Sequence, residues 1–137
     1  MKELVKSWFF YADKDIAIAS ELITNPDLTN GVAFHCQQAI EKYLKAFIVE
    51  HDIKFLRIHD LIRLYELTQS VKDLGLDREK LREITEVYTD ERYPGDIGLL
   101  PNGIPTEEEA RAFFKFAKHV KAVIKGELQG EGNCSGE

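Results

Sequence analysis

Residues 31–50, GVAFHCQQAIEKYLKAFIVE, carry the clearest helical pattern in the chain. Apolar side chains recur every three or four residues along this stretch, a spacing that places them on one side of an α-helix. The predicted core stripe consists of Ala33, Cys36, Ile40, Tyr43, Leu44 and Phe47. We therefore predict a helix over residues 32–51 that turns this stripe towards the centre of a domain.

Four further stretches show the same periodicity. They begin near positions 3, 59, 78 and 106, and the one over 78–89 is the shortest. Thr106 and Glu109 form a capping box at the start of the last stretch. Because no alternating strand pattern occurs, the sequence predicts an all-α antiparallel bundle of four longer helices and one shorter helix. We assign residues 1–126 to this helical domain and residues 127–137 to a flexible acidic tail.

The charge balance limits the classes of partner. The chain has 137 residues, with 18 basic and 24 acidic side chains and a net charge of −6. A general nucleic-acid coat needs a large basic surplus, so the composition argues against that class and leaves room for a local anion site. Cys36 and Cys134 offer no disulfide framework and no metal-ligand spacing, which favours a reduced, cytoplasmic setting. We expect no membrane contact, no metal and no other cofactor.

The second predicted helix also carries a polar stripe. Gln38, Glu41, Lys42 and Lys45 fall within an arc of about 100° opposite the apolar stripe. Glu41 and Lys45 are spaced i, i+4 in the favourable orientation for an ion pair. This arc is interpreted either as a solvated helix face or as a surface that binds a partner or an anionic ligand.

Two further polar residues stand out from their surroundings. Asp15 lies in the apolar stripe of the first helix, where a carboxylate needs partners, and Arg92, Lys42 or His59 could supply them. It is interpreted as a structural ion pair or as a site carboxylate. His59, beside Asp60 at the predicted start of the third helix, could cap that helix, bridge to another one, or act as an acid or base.

The last helix carries a cationic stripe. No acidic residue lies between Ala110 and Gly126 in the sequence. The stripe is either a solvated face or the best candidate in this acidic chain for contact with phosphates. Its members are Arg111, Lys115, Lys118, Lys121 and Lys125.

The order of these motifs resembles that of HEPN domains (higher eukaryotes and prokaryotes nucleotide-binding). The matching motifs are Trp8, Ala12, Asp15 and Ala19, then FHCQQAIEKYLKAF, then HDL at residues 59–61, then Arg92-Tyr93-Pro94. The last triplet is similar to the RYP element of one large branch. The resemblance covers about residues 4 to 125.

This resemblance implies an all-α bundle that forms homodimers and is similar to the partners of minimal nucleotidyltransferases in toxin–antitoxin pairs. Other relatives are metal-independent RNases in which four to six residues separate an arginine from a following histidine. Here Ile97, Gly98 and Leu99 stand at the histidine positions after Arg92. We therefore expect a non-catalytic module that binds nucleotide or RNA phosphate. An RNase with a non-standard base and a structural interaction module are the alternatives.

The candidate site residues follow from both lines of reasoning. Arg92 and His59 are the candidates for a catalytic role. The candidates for ligand or phosphate binding are Arg92, Tyr93, Lys42, Lys45, Asp15 and Gln38. Four successive aromatic residues at 8–11 cover more than half the circumference of one helix, which predicts a dimer because one core cannot cover them all.

Overall fold

The computed structural model describes residues 2–54, 57–92 and 104–136. Within these residues the chain forms five α-helices and no strand, which confirms the predicted all-α bundle. The helices are α1 Glu3–Leu22, α2 Thr29–Glu50, α3 Leu61–Thr68, α4 Arg78–Arg92 and α5 Glu107–Gly136, and a 3₁₀ turn, Pro26–Leu28, joins α1 to α2.

α2 is the central helix of the bundle, because each of the other four helices packs against it. Its contact with α1 is the most extensive between any two of the described helices. The largest fully buried side chains of the core include Tyr43, Tyr65, Phe47, Ile40, Leu44 and Ile48. A helix enclosed in this way has little surface left for solvent, even along its polar stripe.

Side-chain caps fix the starts of α3 and α5. Asp60 accepts a hydrogen bond from the backbone N of Ile62 at 2.9 Å, so α3 begins just after this residue. Thr106 Oγ1 accepts from the backbone N of Glu109 at 3.0 Å, and Glu109 Oε1 accepts from the backbone N of Thr106 at 2.8 Å. The predicted capping box is confirmed, and it satisfies two backbone donors that have no partner inside the helix.

The predicted end of the last helix at Gly126 is wrong. α5 continues to Gly136 and is 30 residues long. Leu128 extends the buried stripe one turn beyond Ile124, and this packing outweighs the modest helix penalty of a glycine, about 1 kcal/mol. Part of the stretch assigned to a tail therefore belongs to the bundle, while the flexibility of residues 127–137 stays a prediction.

The short helix is α3 and not α4. α3 has 8 residues and α4 has 15, whereas the sequence pattern favoured a long third helix and a short fourth one. The connection between them is tight, since Gly75 adopts a left-handed φ of 67° and donates its backbone N–H to Asp73 Oδ1 at 2.9 Å. The Tyr65 hydroxyl donates to Asp73 at 3.1 Å and accepts from the backbone N of Leu76 at 3.0 Å. Tyr65, a residue of α3, thus holds this turn closed through its hydroxyl group.

Candidate functional site

The polar stripe of α2 lies against α1 and does not form an open solvated face. The side chains of Glu41 and Lys45 are only 9% and 5% exposed. The interpretation as a solvated face is therefore wrong for these two residues, while Gln38 and Lys42 are half-buried. The cause is the central position of α2, which leaves the arc opposite its apolar stripe covered by a neighbouring helix.

Asp15 of α1 is buried and holds two side chains of α2. Its Oδ2 accepts from Lys42 Nζ at 2.5 Å, and its Oδ1 lies 2.9 Å from His35 Nδ1. Lys42 is one of the three partners considered from the sequence. A buried carboxylate with two such partners is compensated within the protein. We refer to Asp15, His35 and Lys42 as the Asp15 cluster.

Glu41 is the centre of a second network, the Glu41 cluster, which also contains Gln37, Lys45 and His59. Its Oε2 accepts from Lys45 Nζ at 2.8 Å and lies 3.0 Å from His59 Nδ1. Its Oε1 accepts from Gln37 Nε2 at 3.3 Å, and Gln38 Nε2 donates to Gln37 Oε1 at 2.7 Å. Both oxygens of the buried carboxylate have partners, so this negative charge is stabilised in place.

The indole of Trp8 closes the Glu41 cluster on the α1 side. Lys45 Nζ lies 5.2 Å from the centroid of the Trp8 ring, within the range of a cation–π contact. The ring helps to exclude water from the ion pair of Lys45 and Glu41, which strengthens the attraction between the two charges. Trp8 Nε1 is buried and finds no hydrogen-bond partner within the described part of the chain.

His59 is the accessible member of the Glu41 cluster. Its side chain is 63% exposed, although its partner Glu41 is buried. A carboxylate beside Nδ1 favours the neutral tautomer that carries its proton on this nitrogen, which leaves Nε2 as a proton acceptor. The arrangement is the one required of a general base, provided that a substrate reaches the ring.

The candidate site residues divide between two hydrogen-bonded networks. Asp15 and Lys42 meet in one cluster, whereas Lys45, Gln38 and His59 belong to the hydrogen-bonded network of Glu41. α4 ends at Arg92. The side chain of Arg92 and the whole of Tyr93 lie outside the described residues.

The comparison with known families decides what kind of domain this is. The family model of the HEPN domain matches residues 5–127. The chain belongs to the HEPN family. No curated protein and no solved structure matches it.

The sequence reasoning missed His35 and Gln37 as members of these two clusters, although the spacing contains a signal for both. His35 and Lys42 are seven residues apart on α2 and therefore share a face, where both contact Asp15. Gln37 precedes Glu41 by four residues and joins its network for the same reason. A buried carboxylate on the neighbouring helix could have directed attention to these positions.

Cys36 and Tyr43 of the HEPN core resist deprotonation, because the pKa of each is raised. Burial, with a smaller contribution from the charge of Asp15, raises the pKa of Cys36 to about 12. Burial, followed by the hydrogen bond to Asp13, also raises the pKa of Tyr43. Cys36 is therefore a poor nucleophile at neutral pH, since the thiolate is the reactive form.

The described residues contain neither a candidate metal site nor a candidate membrane span. No group of three or more His, Cys, Asp or Glu side chains suited to a metal occurs in the described residues. Of the described helices, none combines the length and the apolar character that crossing a bilayer requires.

The cationic stripe of α5 divides into two parts. Lys121 forms an ion pair with Asp13 of α1 at 3.1 Å, and Lys125 lines a groove beside α1. The remaining cations are exposed on one side of the helix. We refer to Arg111, Lys115 and Lys118 as the α5 ridge.

Proposed function

We propose that this HEPN protein is a homodimer that binds nucleotide or RNA phosphate without cleaving it. We propose further that it is the partner of a minimal nucleotidyltransferase in a toxin–antitoxin pair. The observation that carries the binding proposal is the α5 ridge, an exposed cationic surface on a protein whose net charge is −6.

The geometry of the α5 ridge suits a phosphate backbone. Its three cations are spaced four and three residues apart, so they follow one side of the helix for about 10 Å. Arg111 has only an exposed partner of its own helix, Glu107, at 3.2 Å. Lys115 has no ion-pair partner among the residues that the structure describes, and Lys118 lies 4.7 Å from the Phe114 ring. Exposed pairs of this kind are weak, so the cations are available to an anion.

The lysines of α2 fit this role less well. Lys42 and Lys45 already bind the carboxylates of Asp15 and Glu41. A phosphate would have to replace these contacts, and breaking a buried ion pair is costly. Phosphate binding is therefore assigned to the α5 ridge, with Arg92 as a second contact because a guanidinium binds phosphate through paired hydrogen bonds.

An exposed apolar line on α1 supports the dimer. Leu4, Tyr11 and Ile18 are spaced by seven residues and are 56%, 58% and 41% exposed. Seven residues are close to two helical turns, so the three side chains lie along one line on the helix surface. Burial of this apolar line by a second copy is favourable, because it removes apolar surface from water.

The remaining parts of the proposal rest on the sequence. The nucleotidyltransferase partnership rests on the resemblance of Arg92-Tyr93-Pro94 to the RYP element. The absence of cleavage rests on the missing histidine at positions 97–99, where four to six residues would separate it from Arg92. Without that imidazole, the arginine can neutralise a phosphate but has no group beside it to accept the ribose proton.

Binding of a labelled single-stranded RNA, followed by fluorescence anisotropy at several salt concentrations, tests the proposal. We expect the variant with Arg111, Lys115 and Lys118 all replaced by Gln to bind more weakly and to reduce the slope of log K against log salt by about 2. The control variant replaces Lys54, Arg57 and Arg63 by Gln. This control has the same net charge as the α5 variant but removes exposed cations outside α5. Equal losses of RNA affinity in both variants would contradict the assignment of phosphate binding to the α5 ridge.

One observation favours an RNase as the second candidate function. His59 has an exposed ring, and the Glu41 carboxylate holds its Nδ1. This imidazole could accept the ribose 2′-hydroxyl proton if RNA reached it. RNA cleavage that persists in chelator, and that is lost in both His59→Ala and Arg92→Ala, would support this function over the first.

A further inference from the structure

A groove with no assigned role lies between the first half of α1 and the last part of α5. Its volume is about 340 Å³. It shares no residue with the Asp15 cluster, the Glu41 cluster or the α5 ridge. The residues that line it are Lys6, Phe9, Phe10, Asp13, Lys125, Leu128 and Gln129.

The groove has a rigid apolar floor and one exposed apolar wall. Phe9 packs edge-to-face against Tyr43 with the ring centroids 4.9 Å apart, and Leu128 is buried in the core. Phe10, the second phenyl ring of the lining, is 53% exposed. Covering such surface contributes about 25 cal/mol for each Å² removed from water.

The charges around the groove favour an anion. Its one carboxylate, Asp13, already accepts from the Tyr43 hydroxyl at 2.6 Å and from Lys121 at 3.1 Å. Lys125 has no ion-pair partner in the described part of the chain. Lys6 has an exposed acid of its own helix turn at 3.4 Å, a contact that contributes little. Two ammonium groups therefore remain to bind a negative group at the rim.

We propose that this groove binds an amphiphilic organic monoanion, specifically a carboxylate with an unbranched acyl chain of medium length. The acyl chain lies on Phe9, Phe10 and Leu128, and the carboxylate accepts hydrogen bonds from Lys6 and Lys125. The volume is that of a small-molecule site. A multiply charged phosphate ligand fits less well, because most of the groove lining is apolar and leaves additional charge without a partner.

Calorimetric titration of the full-length protein with decanoate, below its critical micelle concentration, tests this proposal. We expect saturable binding of one decanoate per chain. Lys125→Gln should weaken it about threefold, the size expected for one exposed charge contact. Phe10→Ala, which removes an exposed ring, should weaken it by at least as much. Lys54→Gln changes the net charge equally, removes no residue of the groove lining and should leave the affinity unchanged.

The neutral analogue decanol separates the two parts of the proposed recognition. We expect decanol to bind more weakly than decanoate to the wild-type protein and equally to the wild type and Lys125→Gln. Equal affinities of decanoate and decanol for the wild type would overturn the proposed charge recognition. Absence of saturable decanoate binding would overturn the proposal. A second copy or a partner protein cross-linked to Lys125 would then show that the groove is a protein interface.

Discussion

His59 and Glu41 form a contact between an exposed side chain and a buried one. Nδ1 of the imidazole lies 3.0 Å from Oε2 of the carboxylate, although the two side chains are 63% and 9% exposed. Lys45 donates to the same oxygen at 2.8 Å from a buried position. The two partners of this oxygen should therefore differ in what they contribute to stability.

Glu41→Gln should destabilise the protein by about 3 kcal/mol, because the buried ammonium of Lys45 loses the carboxylate at 2.8 Å. His59→Ala should cost less than about 1 kcal/mol, since the contact of its exposed ring with Glu41 is open to solvent. Urea unfolding of both variants at neutral pH measures the difference in the free energy of unfolding. Similar losses in the two variants would contradict the assignment of Lys45 as the principal partner.

Gly126→Ala should stabilise the protein by about 0.5–1 kcal/mol, because alanine is the better helix former. No atom lies within 4 Å of a Cβ built at this position, which is inside α5. Gly31→Ala in α2 is the matched control and should gain less, because its Cβ would lie 2.8 Å from Leu22 Cδ1. A Gly126→Ala variant that is no more stable than the wild type would argue against a continuous α5.

Features that depend on local spacing could be predicted from the sequence, whereas features that depend on tertiary packing could not. The sequence predicted three features that each depend on spacing within one or two helical turns. They are the apolar stripe of α2, the capping box of Thr106 and Glu109, and the need of Asp15 for a partner. The burial of Glu41 and Lys45 was not readable, since a helical wheel does not show how many helices surround α2. The end of α5 was misplaced because Gly126 weakens the helical pattern, while the packing of Leu128 sustains the helix.

The candidate site shows the same limit. Asp15 could be paired with any of three cations from the sequence, and only the register of α1 and of the segment before α3 against α2 places Lys42 at Asp15 and His59 at Glu41. That register is a tertiary property. The proposed roles of Arg92 and Tyr93 stay predictions.

Cys36 predicts an alkaline loss of stability. Burial raises its pKa from 9.0 to about 12, so the folded state retains the thiol proton where the unfolded state has lost it. The stability contributed by the neutral thiol is complete below the unfolded pKa and is lost as the pH rises through the folded pKa. Unfolding free energies measured from pH 9.0 upwards should fall faster for the wild type than for Cys36→Ala, by up to about 1.4 kcal/mol per pH unit. Tyr43 titrates in both proteins and cancels in the comparison, so parallel curves would refute the shift at Cys36.

The apolar line on α1 predicts which substitutions disrupt the proposed dimer. Tyr11→Glu or Ile18→Glu should convert a dimer into a monomer in sedimentation experiments at micromolar concentration, because a carboxylate in an apolar contact loses its hydration. Both side chains are exposed, so the folded monomer should survive. Ser20→Glu adds the same charge at another exposed position of α1 and should remain dimeric. A wild-type protein that is monomeric at these concentrations would refute the interface.

The central claim is that this HEPN protein binds RNA phosphate without cleaving it. The most direct test incubates a labelled RNA with the wild-type protein in chelator, at a concentration that saturates binding by anisotropy, and then analyses the RNA on a denaturing gel. Intact RNA in the bound state is the predicted result. Cleavage by the wild type that disappears in His59→Ala would contradict the claim and would make the His59–Glu41 pair part of an RNase active site.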